Sequence, residues 1–149
     1  MPLHSEIHEQ PMRLAGLLKQ RAQVEQIADA IRRKAPCFVF LAARGTSDNA
    51  GRYANYLWGA ANHLPLALAT PSLFTFYAQP PLLKGSLVVA VSQSGKSPDI
   101  IRVLQEGQQQ GCLTMAITNA PFAPLAQAAD LVLDSQAGEE KSIAVTKSY

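Results

Sequence analysis

The sequence predicts an α/β fold, a three-layer α/β/α sandwich with a five-stranded parallel sheet that is preceded by N-terminal helices. Three observations lead to this prediction. Apolar residues recur at helical spacing through residues 5–34. From residue 37 onwards, short apolar runs alternate with helical segments, which is typical of a doubly wound parallel sheet. These runs are apolar throughout, as expected of strands that helices cover on both faces.

The N-terminal helices are predicted from an apolar stripe that repeats every three or four residues. In two successive segments the stripe consists of Leu14, Leu17, Leu18, Val24, Ile27, Ala28 and Ile31. Pro11 is predicted to split or start the first helix, and Pro36 to end the helical region. We therefore divide the chain into an N-terminal helical segment, 1–35, and a second domain, 36–149.

The remaining elements follow from apolar runs and from helix boundary signals. Strands are predicted at 37–43, 65–70, 86–92, 112–118 and 130–135. Helices are predicted at 47–61, 98–111 and 123–129, and Gly111 ends the second of them. Residues 142–149 are typical of the start of another helix, with Thr146 as its N-cap. Either a short helix ends the domain there, or the chain is part of a longer protein.

The composition argues against several classes of function. The chain has 149 residues, about one domain, and 48% of them are apolar, which is enough for a core. The net charge is +2, and the basic cluster at 31–34 is typical of a solvated helix end, so we expect no nucleic-acid partner. No apolar run approaches the roughly 18 residues of a membrane span, and the N-terminus lacks a signal-peptide core. We expect no membrane partner and predict a cytoplasmic location.

The cysteines and histidines indicate neither a disulfide nor a metal site. Cys37 and Cys112 each open an apolar run, so both are predicted to be buried thiols. The three histidines, His4, His8 and His63, show no metal-ligand spacing with cysteines or carboxylates. We expect no metal and no cofactor.

The stretch Gly95-Lys96-Ser97 has the ending of a nucleotide-binding P-loop. Such a loop needs a second glycine five positions before Gly95, but that position is Ala90, inside a predicted strand. The turn is too short to surround a triphosphate. No Gly-x-Gly-x-x-Gly follows the first strand either, so a dinucleotide site is not indicated.

Two polar turns follow the first and third predicted strands, RGTS at 44–47 and SQSGKS at 92–97. In open α/β sheets, ligands bind at the carboxyl ends of the strands, where helix N-termini attract anions. Hydroxyl and amide donors with little net charge suit one monophosphate better than a triphosphate with magnesium. The alternative is that Ser47 and Ser97 are helix caps. Lys96 is expected to point to solvent.

Four stretches, taken together, resemble the SIS (sugar isomerase) domain family. They are ARGTSDNAGRYANYLWG, AVSQSGKSPDIIRVLQEGQQQG, ITNAPFAPLAQAAD and AGEEKSIAVTKSY. The opening HSEIHEQPMRL also resembles the entry helix of the isomerase half of glucosamine-6-phosphate synthases. The resemblance implies a five-stranded, flavodoxin-like or Rossmann-like α/β/α sandwich that binds a phosphosugar.

The resemblance also implies roles for individual residues. The phosphate would be held by Ser47, Ser92, Gln93, Ser94 and Ser97, and the sugar by Thr46, Ile143 and Val145. Ser97 stands where the synthases usually have Thr, which keeps the hydroxyl. Val145 stands where they have Ser, so this position lacks a hydroxyl.

Finally, the resemblance implies an activity. The sequence has no glutaminase domain and no Cys at position 2, so glutamine-fed amination is not expected. The synthases' acid/base Glu, ring-opening His and C-terminal Lys lie in or after a second SIS half, so this chain is expected to bind phosphosugars with negligible turnover. The leading interpretation is the phosphate-binding half of an amino-sugar or ketose phosphate deaminase/isomerase that forms a homodimer. The alternative is a non-catalytic phosphosugar sensor, although residues 1–35 are too short for a helix-turn-helix.

Overall fold

One five-stranded sheet forms the centre of the structure, a computed structural model that describes residues 2–142 and Lys147. The strands are β1 (Phe38–Ala42), β2 (Leu66–Leu68), β3 (Ser86–Val91), β4 (Leu113–Thr118) and β5 (Leu131–Asp134). Their order is β2-β1-β3-β4-β5, and all neighbours are parallel. The predicted five-stranded parallel sheet is confirmed.

Helices cover both faces of the sheet. They are α1 (Pro2–Leu17), α2 (Arg21–Lys34), α3 (Thr46–Asn62), α4 (Ser72–Thr75), α5 (Pro98–Gln109) and α6 (Pro124–Gln127), with a 3-10 turn at Leu18–Gln20. Ile27 of α2 and Trp58 of α3 pack in the apolar cluster on one face. Phe74 of α4, Leu104 of α5 and Leu125 of α6 pack in the cluster on the other face. The α/β/α sandwich with N-terminal helices is therefore confirmed.

Local chemistry explains where the helices begin and end. The last turn of α2 holds Arg32, Arg33 and Lys34, whose charges suit a helix C-terminus, and Ala35 then leaves the helix with a φ of 49°. Pro98 is the first residue of α5, where its missing N–H is not needed. Of the helices within the described residues, none has the length and apolarity needed to cross a bilayer.

Pro11 lies inside α1 and neither splits nor starts that helix, so this prediction is wrong. A proline inside a helix removes one backbone hydrogen bond and crowds the preceding turn. Side chains on both sides of Pro11 contact remote parts of the chain. Glu6 accepts the backbone N–H groups of Lys141 and Ser142, and the guanidinium of Arg13 lies against Gly138. We infer that these tertiary contacts keep the helix continuous.

The two cysteines are free, as predicted, but one of them is not buried. Cys112 is buried, and its Sγ donates to the carbonyl oxygen of Leu83 at 3.0 Å. Cys37 is exposed, because β1 begins one residue later, at Phe38, and Cys37 stays in the connection from α2. The prediction of a buried thiol at Cys37 is wrong.

Candidate functional site

The two polar turns lie side by side at the carboxyl edge of the sheet. β1 and β3 are neighbouring parallel strands, and Ala42 at the end of β1 pairs with Ala90 of β3. From β1 the chain proceeds to β2 on one side and, through β3, to β4 and β5 on the other. The strand order therefore reverses between β1 and β3, which is where ligands of open α/β sheets bind.

The turn at 92–97 presents three serine hydroxyls. Ser92 is buried, and its Oγ lies 3.4 Å from the Oγ of Ser97. Ser94 is exposed, and its Oγ accepts the backbone N–H of Lys96 at 3.3 Å. No acceptor within residues 2–142 takes the Ser94 proton, so the hydroxyl can also donate. One hydrogen bond between Ser92 and Ser97 uses one of their two protons and leaves the other for a ligand.

The hydroxyls of Ser47 and Ser97 do not cap helices. Ser97 occupies the N-cap position of α5, but its side chain makes no capping hydrogen bond. The N-cap of α3 is Gly45, with a φ of 58°, and Ser47 lies inside the first turn of that helix. Within residues 2–142, no hydrogen bond involves the hydroxyl of Thr46 or Ser47. The capping alternative is therefore wrong for Ser47, whereas Ser97 is the N-cap of α5 by position but not through its hydroxyl.

Charges of both signs surround the two turns, because the first turns of α3 and α5 hold Asp48 and Asp99 beside the helix N-termini. The N-termini of α3 and α5 both carry the positive end of a helix dipole. Arg44, before α3, forms an ion pair with Asp99 in the first turn of α5, which joins the two turns. The Arg44 side chain remains 63% exposed in this ion pair. Lys96 is exposed, as expected.

Gly95 fixes how the turn packs against the rest of the sheet edge. It has a φ of 62°, and its backbone N–H donates to the carbonyl oxygen of Ser92 at 3.2 Å. Its carbonyl oxygen accepts the N–H of Leu125 at 3.1 Å, which binds the turn to α6. A Cβ at this position would lie 2.7 Å from the Cβ of Ala123. Glycine is therefore required here both by backbone conformation and by close packing.

Asn119 is part of this edge and was missed by the sequence interpretation. Its backbone N–H donates to the carbonyl oxygen of Gln93 at 3.1 Å, and its Nδ2 donates to the carbonyl oxygen of Gly138 at 2.6 Å. Thr118 Oγ1 also donates to the Gln93 carbonyl oxygen, at 3.3 Å. Asn119 directly follows β4, so applying the strand-end rule to the fourth strand as well would have found it.

Residues 135–142, here called the C-terminal strap, join this edge of the sheet to α1. Glu6 of α1 is 4% exposed and accepts hydrogen bonds from the backbone N–H of Lys141 at 2.6 Å, the N–H of Ser142 at 3.2 Å and the Ser142 hydroxyl. Lys147 has a buried side chain whose Nζ donates to Glu9 Oε2 at 2.9 Å. Two predicted sugar contacts, Ile143 and Val145, lie outside the described residues, as does the predicted N-cap, Thr146.

These contacts determine the ionisation of the two glutamates. The Ser142 hydroxyl, and next the Lys141 backbone N–H, hold the pKa of Glu6 below its usual range, and the charge of Lys147 adds to this. Lys147, and next Arg13, lower the pKa of Glu9. Each donor stabilises the carboxylate form.

The lowered pKa values predict that α1 loosens in acid. A carboxyl whose folded pKa is depressed contributes stability that is complete above its unfolded pKa, about 4.3 for Glu. That contribution is lost as pH falls through the lower folded value. We expect the stability of the wild-type chain to fall below about pH 4.3 more steeply than that of Glu6→Gln, measured by urea unfolding from pH 7 to 3. Equal slopes for the two proteins would contradict this prediction.

Two clefts lie beside α1. One has a volume of about 190 Å³ and is lined mainly by apolar side chains, with Ser135 and Lys147 at its wall. The other, here called the α1 cleft, has a volume of about 480 Å³. Its walls include Met12, Arg13, Gly16, Asn119, Gln136 and Gly138. Among the described residues, no group of three or more His, Cys, Asp or Glu side chains could hold a metal ion.

Comparison with known proteins identifies sequence relatives of this chain. The family model of the SIS domain matches residues 33–149. The glutamine–fructose-6-phosphate aminotransferase of Symbiobacterium thermophilum is 34% identical over 152 residues, which cover 97% of this chain and 25% of that protein. The corresponding protein of Bradyrhizobium diazoefficiens is 32% identical over 151 residues, which cover 97% and 24%. The chain thus spans about a quarter of the length of these relatives.

Two solved structures resemble the whole described sandwich. A Silicibacter pomeroyi protein proposed to be a phosphosugar isomerase matches with a TM-score of 0.92 and 37% identity, over 97% of this chain and 44% of that one. The C-terminal domain of glucosamine-fructose-6-phosphate aminotransferase from Francisella tularensis matches with a TM-score of 0.86 and 27% identity, over 98% and 42%.

Proposed function

The chain belongs to the SIS domain family and is related to the isomerase half of glutamine–fructose-6-phosphate aminotransferases, and from this we propose that it binds a sugar phosphate by its phosphate group. The observation that carries the proposal is the turn at 92–97. Its serine hydroxyls lie beside the N-terminus of α5, where the strand order reverses between β1 and β3. They make no capping hydrogen bond. Such donors match the oxygens of one phosphate group.

We assign the phosphate to Ser47, Ser92, Gln93, Ser94 and Ser97, and we add Asn119 as the residue that holds the Gln93 backbone in place. Thr46 begins α3 beside this group and is proposed to contact the sugar. The contacts proposed for Ile143 and Val145 stay predictions. Arg44 can supply a charge to the phosphate by leaving Asp99.

For the protein as a whole, we propose a sugar-phosphate isomerase or deaminase, because the relatives above 30% identity are named for an isomerizing reaction of fructose-6-phosphate. The chemistry would be ring opening followed by proton transfer between C1 and C2 by a carboxylate with a pKa near neutrality. A cytoplasmic location is proposed from the two free cysteines, one of them exposed.

Calorimetric titration tests the binding function. Fructose-6-phosphate is expected to bind saturably at one site per chain. Fructose is expected not to bind, because it lacks the phosphate charge that the turn is proposed to recognise. ATP is expected not to compete, because the turn is too short to surround a triphosphate. Absence of fructose-6-phosphate binding, or displacement of it by ATP at equal concentration, would contradict the proposed site.

Self-association as a homodimer stays a prediction. Tyr53, Tyr56 and Leu57 of α3 are exposed by 62%, 79% and 47%. Exposed apolar groups that adjoin one another are typical of protein contacts. Sedimentation velocity at micromolar concentration is expected to show a dimer that Tyr56→Ser weakens. A monomer at all concentrations would count against it.

A further inference from the structure

We propose that Glu6 and Glu9 are positioning residues for the sugar end of the ligand, acting through the width of the α1 cleft. The inference rests on the proposed function, because it concerns how the same site discriminates a phosphosugar from free phosphate. Neither glutamate belongs to the turns assigned to the phosphate. Both lie on α1, which forms one wall of the α1 cleft.

Asn119 connects the α1 cleft to the phosphate turn. Asn119 lines the cleft and donates its backbone N–H to the carbonyl oxygen of Gln93, in the phosphate turn. The Asn119 side chain donates to Gly138, in the C-terminal strap. In this proposal, the carbon chain of a ligand whose phosphate lies at the turn extends past Asn119 into the cleft. A volume of about 480 Å³ is within the range of small-molecule sites.

The two walls of this cleft are held together by carboxylates. Glu6 accepts three hydrogen bonds from the C-terminal strap although its side chain is almost fully buried. Its partners lie 135 and 136 positions away in the sequence, so the contact fixes α1 against the strap and does not stabilise the helix locally. Burying a carboxylate is unfavourable unless all its acceptors are satisfied, which makes this contact sensitive to any change of charge.

Glu9 provides a second connection one turn further along α1. Its Oε2 accepts Lys147 Nζ at 2.9 Å, and the same Nζ donates to the Glu139 carbonyl oxygen at 2.7 Å. The Lys147 side chain is 1% exposed. Arg13, which also lines the cleft, pairs with Glu9 at 3.3 Å and lies against Gly138. The partners of Glu6 precede residues 143–146 in the sequence, and Lys147, which pairs with Glu9, follows them. The two contacts therefore hold α1 to the chain before and after this segment.

The experiment compares Glu6→Gln and Glu9→Gln with the wild-type chain in calorimetric titrations with fructose-6-phosphate and with inorganic phosphate. Both variants are expected to bind fructose-6-phosphate about tenfold more weakly and inorganic phosphate within about twofold of wild type. Glu25→Gln is the matched control, because it removes an equal charge from α2 at an exposed pair with Arg21. It should change neither affinity.

Hydrogen exchange of the unliganded proteins provides an independent measurement. The amides of Lys141 and Ser142 are expected to exchange about tenfold faster in Glu6→Gln than in wild type or Glu25→Gln. Equal loss of affinity for both ligands, or no loss for either, overturns the positioning role while leaving the phosphosugar site intact. Failure of the wild-type chain to bind fructose-6-phosphate overturns the proposed function, and this inference with it.

Discussion

Replacing Gly95 by alanine should lower the free energy of unfolding by about 2–4 kcal/mol, as a sum of backbone strain and overpacking. The positive φ of Gly95 is unfavourable for any residue with a Cβ, and that Cβ would lie 2.7 Å from the Cβ of Ala123 and 3.1 Å from Thr118 Oγ1. Neither neighbour can move freely, because Ala123 precedes α6 and Thr118 ends β4. Urea unfolding monitored by circular dichroism measures the loss.

Gly111 provides the control for this prediction. It has a φ of 73°, similar to that of Gly95, but a Cβ placed there meets no atom within 4 Å. Gly111→Ala should therefore show the conformational strain alone, about 1 kcal/mol. Ala123→Gly introduced into Gly95→Ala should restore part of the difference. If the two alanine variants are equally destabilised, the close contact with Ala123 is not responsible.

Replacing Ser94 by alanine should weaken phosphosugar binding by about tenfold to a hundredfold. A hydrogen bond to a charged group contributes about 1.5–3 kcal/mol, and each 1.4 kcal/mol is a factor of ten in affinity. The Ser94 hydroxyl is exposed and accepts one hydrogen bond, from the Lys96 N–H, so its proton is free for a phosphate oxygen. Calorimetric titration with fructose-6-phosphate measures this loss.

The stability of Ser94→Ala should stay within about 0.5 kcal/mol of wild type, because the side chain supports no core contact. Ser97→Ala should likewise lose affinity with little loss of stability, since its hydroxyl caps no helix.

Lys96→Ala should weaken phosphosugar binding no more than Lys84→Ala does. The Lys84 variant removes the same charge just before the start of β3, at the other edge of the sheet. A large effect of Lys96→Ala with none of Ser94→Ala would instead indicate a nucleotide-type site.

Much of the architecture could be predicted because it depends on local patterns. A strand buried on both faces must be apolar at every position, so runs such as 86–92 identify strands wherever they occur. Parallel connections with helices then place every strand end at one edge, which brought the turns after β1 and β3 together as expected. The rejection of a P-loop also needed only the spacing between Ala90 and Gly95.

The contacts of individual polar side chains could be assigned only from the tertiary structure. By sequence, Ser47 and Ser97 are equally good candidates for helix caps. Only the structure shows that Gly45 is the N-cap of α3, and that Ser97 is the N-cap of α5 without a capping hydrogen bond from its hydroxyl. Cys37 lies one residue before β1, a boundary that an apolar run does not define to a single residue.

By itself, the sequence determined the α/β/α sandwich, the order in which its elements follow one another and the position of the serine-rich turn at 92–97, for which phosphate binding is proposed. The tertiary structure decided which remote groups meet. Glu6 with Lys141, and Asn119 with Gly138, are contacts of this kind. The physical reason is that the periodicity of apolar residues records only whether a side chain is buried, whereas the partner of a buried polar group depends on how distant segments pack.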